Sequence, residues 1–215
     1  MSIKAVIWDF GGVFTTSPFE RFSAYEWEND LPQDFIRHTN AVNPDTNAWA
    51  KFERSEVSKE EFDGLFLEET TARGHPVPGK DIIALLGGQV RPVMVKALDL
   101  ILDAGYRCAV ITNNVPAGKG PGISVDDKMA EEVAGVMERM ELVVESSKLG
   151  LRKPDPKIYQ HTCGELGIEP SDAVYLDDLG INLKPAKALG MTTIKVVEPG
   201  QALGELEGVL GMTLR

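Results

Sequence analysis

KAVIWDFGGVF, residues 4–14, is the stretch on which the reading of the fold turns. Ala5 to Trp8 is apolar without alternation, the pattern of a short strand covered on both faces, and it ends abruptly at Asp9 and a pair of glycines. Four further runs repeat the theme: Cys108 to Ile111, Leu142 to Val144, Ala173 to Leu176 and Thr193 to Val197. Helical patterns separate most of them. One starts at Pro92, carries Met94, Leu98, Ile101 and Leu102 on one face and stops at Gly105. Another starts at Asp155-Pro156, with Asp155 as the N-cap, and ends at Gly167. Strands alternating with helices predict an α/β fold, an open, doubly wound parallel sheet of the Rossmann type.

Between Thr16 and Val90 the rhythm breaks. No β-branched run occurs there; amphipathic helical segments fall at Phe19 to Trp27, Trp49 to Phe52 and Lys59 to Leu67 instead. The expected organisation is therefore a core formed by residues 1–15 and 91–215, with a helical lobe inserted over residues 16–90. The segment AGKGPG, Ala117 to Gly122, superficially resembles a phosphate-cradling loop but lacks the order GxxxxGK[ST], and it is read as a flexible loop.

At 215 residues, with 43% apolar and 26% charged residues, the chain has ordinary globular composition and enough length for a core plus a smaller lobe. A net charge of −11 argues against a nucleic-acid footprint, which needs clustered Lys and Arg. The start MSIKAVIWDF has too short an apolar run for a signal peptide or membrane insertion. Cys108 and Cys163 look like buried strand and helix positions rather than a disulfide framework, so a reduced, cytoplasmic setting is expected. The oligomeric state is left open, a homodimer included.

In doubly wound sheets, ligands bind beyond the carboxyl ends of the strands. Here those ends carry Asp9, Thr112-Asn113-Asn114 and Asp177-Asp178, and the loop after the third strand supplies Lys153. Each taken alone is an ordinary turn, cap or surface residue. Together they make an anion-plus-metal constellation. Asp9 and Asp178 offer the hard oxygen ligands that Mg2+ prefers, and Lys153 can neutralise a phosphoryl group while holding Asp9 ionised. Asp9 can then attack phosphorus, splitting one hard displacement into two easier ones. His38, His75 and His161 lack metal-type spacing and are read as surface or packing residues; Trp8 and Tyr175 are expected in or beside the sheet.

The motifs WDFGGVF, VITNN, RKPDPKIY and YLDDLGINLKPAKALGM, in this order, resemble the four motifs of the haloacid dehalogenase superfamily across almost the whole chain. Within it, DDLGINLKPAKALGM and NAWAKFERSEVSKEEF are similar to the N-terminal phosphatase domain of soluble epoxide hydrolase and its acyl-CoA-dehydrogenase-fused relatives. The resemblance implies a magnesium-dependent phosphatase for a small phosphorylated metabolite. Asp9 is then the nucleophile, Thr112 and the amide of Asn113 bind phosphate with Asn114 beside them, and Lys153 is the third-motif lysine. Asp177-Asp178 is the acidic motif, and the backbone carbonyl at Gly11 reaches the metal. It also implies a helical cap over the site, with Trp49 or Phe52 facing substrate. One departure stands out: phosphatases of this kind carry a second Asp, the general acid, where this chain has Gly11. A metal-independent 2-haloacid dehalogenase also lacks that Asp, and a non-catalytic phosphate sensor is a further alternative. Phosphonate chemistry would need a cap lysine, for which Lys51, Lys59 and Lys80 are available.

Overall fold

The computed structural model describes residues 3–115 and 127–214; the AGKGPG loop lies outside the described residues. Five parallel strands, β1 (Ala5–Trp8), β2 (Arg107–Thr112), β3 (Leu142–Glu145), β4 (Ala173–Asp177) and β5 (Thr192–Lys195), form one sheet in the order β3-β2-β1-β4-β5. β1 is central because the chain first winds outward through β2 and β3, then returns to its other side. The switch of winding direction therefore falls at the carboxyl end of β1, where an open α/β sheet leaves a crevice.

Both faces of the sheet are covered, which explains the unbroken apolar runs. Val6, Trp8, Val110, Val174 and Leu176 face one side, packed by α6 (Pro92–Asp103), α7 (Asp127–Met137) and α11 (Pro199–Leu210). Ile7, Ala109, Ile111 and Tyr175 face the other, packed by α9 (Pro156–Leu166) and α10 (Gly180–Ala188). Trp8 and Tyr175 are thus both fully buried, on opposite faces. The punctuation read from sequence holds: Asp155 accepts a hydrogen bond from the Lys157 amide at 2.9 Å, and Gly167 closes α9 in the left-handed conformation at φ 60°. Cys108 and Cys163 are free and buried. No helix among the described residues is long and apolar enough to cross a membrane.

Strand ends differ from the sequence reading, most at β5. β5 runs over Thr192–Lys195 and not to Val197. Val196 still buries its side chain, but the Gln201 carboxamide accepts from the Val197 amide at 3.0 Å and draws the chain into α11, leaving Val197 72% exposed. β2 and β4 each run one residue further, so Thr112 and Asp177 are strand residues and not loop residues.

Between β1 and α6 the chain forms α1 (Phe19–Glu28), α2 (Phe35–Asn40), α3 (Ala48–Glu53), α4 (Lys59–Ala72) and α5 (Gly79–Ala84) around an apolar centre of their own. Asn47 caps α3, and a reciprocal Ser58–Glu61 capping box starts α4. Phe52, Phe62 and Phe66 form the middle of that centre, with Phe52 stacked on Phe62 at 4.5 Å between ring centroids. The two connections to the sheet run side by side. Thr15 and Val90 form an antiparallel bridge, the Thr16 amide donates to Gln89 at 2.9 Å and the Arg91 amide to Phe14 at 2.7 Å.

Candidate active site

Asp9 is the first residue past β1. Its amide still donates to Leu176 O at 2.7 Å, so it keeps sheet register beside Asp177 while the chain beyond curls back, the Phe14 amide donating to Phe10 O at 2.9 Å. Asp9 Oδ1 accepts from the Phe10 amide at 2.6 Å and from Lys153 Nζ at 2.6 Å; among the described residues no donor is bonded to Oδ2. The same ammonium reaches Asp177 Oδ2 at 2.9 Å, and Lys153 is only 1% exposed. A fully buried lysine is tolerable because two carboxylates share its charge.

Asp177 and Asp178 are adjacent in sequence yet do different work. Asp177 accepts from Lys153, from the Tyr175 hydroxyl, from the Leu179 amide at 2.8 Å and from Asn182 Nδ2 at 3.1 Å. That set leaves its two oxygens little free capacity. Asp178 is half-buried, and among the described residues its Oδ2 is hydrogen-bonded to another residue only at the Ser17 hydroxyl, 3.5 Å away. One ligand oxygen from each of Asp9, Asp177 and Asp178 lies within 4.8 Å of the others.

Three carboxylates with one ammonium are undercompensated. Burial, then Asp177, pushes the Asp9 carboxyl well above the usual carboxylate range, with Lys153 pulling against them. Burial and the neighbouring Asp177 push Asp178 up to about 6. Burial disfavours the charge on Lys153, but Asp177 and Asp9 outweigh it and hold the ammonium above its ordinary range. Two partly free carboxylate groups raised by burial and by the neighbouring Asp177 are the donor set that a hard divalent cation would satisfy.

Thr112 ends β2 beside this cluster; among the described residues its hydroxyl has no hydrogen-bond partner. Asn113 uses its side chain otherwise, as a two-point clamp on Lys153: the Lys153 amide donates to Oδ1 at 2.8 Å, and Nδ2 donates to the Lys153 carbonyl at 2.9 Å. The side chain of Asn114 is engaged away from the carboxylates. It donates to Glu145 at 2.7 Å and accepts from the Ser147 hydroxyl at 2.7 Å, because the β2 loop must be pinned to α8 (Ser146–Leu149). Phe52 is fully buried in the helical centre, so the expectation that it faces substrate is corrected: a flat ring stacked on Phe62 is core. Trp49 is half-buried against Phe62, its indole N–H donating to Glu53 at 2.9 Å. Lys59 and Lys80 are exposed and Lys51 half-buried. His38 is exposed and His75 packs edge-on to Phe35 at 5.3 Å.

The glycine pair is asymmetric. Gly12 sits at φ +75°, and a Cβ there would lie 2.3 Å from Asp178 Oδ2, so any other residue is strained and has to displace Asp178. Gly11 has no positive φ, and a Cβ there would meet nothing within 4 Å. Gly12→Ala is accordingly expected to lower stability by about 1–3 kcal/mol, because the new methyl forces Asp178 to shift. Melting curves check it; an unchanged melting temperature would show that Asp178 moves aside at no cost.

Residues that sequence reading did not single out also shape the site. Asn182 and Tyr175 hold Asp177, and Tyr159 donates to the Asn182 carbonyl at 2.8 Å. Their spacing was visible: Asn182 lies on the helix that follows the Asp pair, and Tyr175 lies two residues before Asp177 on one strand face. Glu53 and Arg152, joined at 2.6 Å across 99 residues of sequence, left no local signal.

A parallel sheet with a carboxylate past its central strand, a buried lysine and a second acidic cluster define a hydrolase of the α/β class. Residues 3–190 match the haloacid dehalogenase-like hydrolase family, and the chain belongs to it. It is 36% identical over 219 residues to mouse acyl-CoA dehydrogenase family member 10, covering 99% of this chain and 20% of that protein. It is 27% identical over 226 residues to pig bifunctional epoxide hydrolase 2, covering 100% of this chain and 40% of that one. The chain therefore spans less than half of these relatives' length. Phosphatase MT3486 of Mycobacterium tuberculosis is 27% identical over 222 residues, which cover 94% of this chain and 90% of that protein. Among solved structures, a haloacid dehalogenase family enzyme of Bacteroides thetaiotaomicron superposes with TM-score 0.62 at 20% identity, over 95% of this chain and 99% of the other. That structure is an aspartate-to-alanine variant in complex with magnesium and inorganic phosphate.

Proposed function

We propose that the protein is a magnesium-dependent phosphatase of small phosphate monoesters that works through an aspartyl phosphate on Asp9. The single observation that carries this reading is the buried Lys153 ammonium lying 2.6 Å from Asp9 and 2.9 Å from Asp177, with Asp9 Oδ2 and Asp178 left for other partners. In this reading, Asp9, Asp178 and the Gly11 carbonyl hold Mg2+, and Asp177 stands behind them as the anchor of Lys153. When bound, the cation screens the phosphoryl oxygens and keeps both carboxylates ionised. Asp9 Oδ2 attacks phosphorus and the ester oxygen leaves. Lys153, Thr112 and the Asn113 amide hold the transferred group, and water then releases phosphate from Asp9. Residues 16–90 act as a cap over residues 1–15 and 91–215, with Trp49 at its inner edge. The similarity to a full-length protein named as a phosphatase supports this choice over metal-independent halide displacement.

A screen of phosphate esters and 2-haloacids with and without Mg2+ tests it. Phosphate release that requires Mg2+ is expected; halide release without metal would replace this reading with the dehalogenase one.

The acidic cluster adds a pH test. Asp9 and Asp178 have folded-state pKa values above the ordinary value near 3.8, Asp178 at about 6, so the folded protein binds more protons than the unfolded chain in this window. Stability of the metal-free protein then falls as pH rises from about 4 through 6. Mg2+ offsets the repulsion, so the rise in melting temperature that it causes should be larger at pH 7.5 than at pH 5. A Mg2+ shift independent of pH would show that the cation binds elsewhere.

A further inference from the structure

We propose that Glu53 is a positioning residue: it ties the inserted helices to the Lys153 loop and fixes the side-chain amide of Asn113 in the one orientation that seats Lys153. The proposal rests on the phosphatase reading for its kinetic consequence only.

Glu53 is the last residue of α3 and is 5% exposed. Its placement is poor on local grounds, since a carboxylate at a helix C-terminus faces the negative end of the dipole and burial penalises its charge. Its partners explain it. Oε2 accepts from Arg152 Nε at 2.6 Å and from Asn113 Nδ2 at 3.3 Å, Oε1 accepts from the Trp49 indole at 2.9 Å, and the Glu53 carbonyl accepts from the Ser146 hydroxyl at 2.7 Å. Asn113 and Arg152 belong to the two loops that carry the candidate phosphate ligands and Lys153.

The chemistry of the Asn113 amide makes the contact directional. Its Oδ1 must accept the Lys153 N–H and its Nδ2 must donate to the Lys153 carbonyl, at 2.8 and 2.9 Å. The second Nδ2 hydrogen goes to Glu53. A flipped amide would set Oδ1 against both the Lys153 carbonyl and the Glu53 carboxylate, so Glu53 removes the wrong orientation. Arg152, the residue before Lys153, is held by Glu53 and by the Pro44 carbonyl at 2.7 Å, both from the inserted segment. The Lys153 backbone is thereby fixed from two sides.

The experiment compares wild type, Glu53→Ala, Glu53→Gln and Ser55→Ala with p-nitrophenyl phosphate and Mg2+, alongside melting curves and amide hydrogen exchange at Lys153. Ser55 makes another contact across the same seam, to the Ser147 carbonyl at 2.9 Å, without touching Asn113 or Lys153. Glu53→Ala is expected to lower kcat by about 10- to 100-fold, with KM within about twofold, and to speed exchange of the Lys153 amide. Glu53→Gln, which keeps an acceptor for Asn113, is expected to recover most of kcat and wild-type Lys153 exchange; should the alanine variant not fold, Glu53→Asp, whose shorter side chain withdraws the acceptor from Asn113, carries the test, with faster Lys153 exchange expected and unchanged exchange overturning the proposal. Ser55→Ala should retain wild-type kcat and Lys153 exchange. A Glu53→Ala protein that melts lower but keeps wild-type kcat and Lys153 exchange overturns the proposal. Wild type that releases no phosphate defeats the phosphatase reading, and the exchange result then decides the role of Glu53 alone.

Discussion

Asp9→Asn is expected to end turnover, with phosphate release falling at least about 10⁴-fold, the scale on which loss of a covalent nucleophile is felt. The substitution is nearly isosteric. Its carbonyl oxygen can still accept from the Phe10 amide and from Lys153, the two donors that hold Asp9 Oδ1 at 2.6 Å, so the β1 turn has no reason to rearrange. What disappears is the anionic oxygen and one of three charges crowded against a single ammonium. Because burial and Asp177 disfavour the charged form of Asp9, the metal-free variant should melt at or above wild type at neutral pH. The difference should shrink as pH falls and wild-type Asp9 takes up a proton. Loss of rate with retained stability separates chemistry from folding; a variant within tenfold of wild type would remove Asp9 from the nucleophile role.

Gly11→Asp is expected to act in the opposite sense, raising turnover of simple alkyl phosphates by about 100-fold, within the range of about 10²- to 10⁴-fold that general acid and base help supplies. The backbone permits it, since Gly11 has no positive φ and a Cβ would meet nothing within 4 Å, in contrast to Gly12. Wild type should therefore show a steep dependence on leaving-group pKa, turning over aryl phosphates well and alkyl phosphates poorly, and the variant should flatten it. Rates over a leaving-group series with both proteins give the answer. A flat series for wild type would mean that some other group already donates the proton.

The sheet was legible because its inner strands β1, β2 and β4 are covered on both faces and so leave apolar runs that periodicity cannot hide. Asp9, Thr112, Lys153 and Asp177 were legible for the same reason, as the polar residues at or beyond the ends of those runs. Reading failed where a side chain's partner lies far along the chain. Phe52 and Trp49 share one short helix, and nothing local says that Phe52 stacks on Phe62 while Trp49 is only half covered. Asn113 and Asn114 look alike in sequence, yet one clamps Lys153 and the other pins the β3 end through Glu145 and Ser147. The end of β5 was misjudged because a glutamine four residues on, at Gln201, captures the Val197 amide.

The bridge between Thr15 and Val90 means that the chain leaves the sheet and re-enters it at neighbouring points. The inserted helices are tied to the sheet domain a second time, where Glu53 and Ser55 meet Arg152, Ser146 and Ser147. Among the described residues, Val115 joins the apolar centre of the inserted helices from the β2 loop, so a transplanted lobe has to offer it an apolar seat. A lobe exchanged at the Thr15–Val90 crossing would also have to supply the buried carboxylate that Glu53 offers to Arg152 and Asn113.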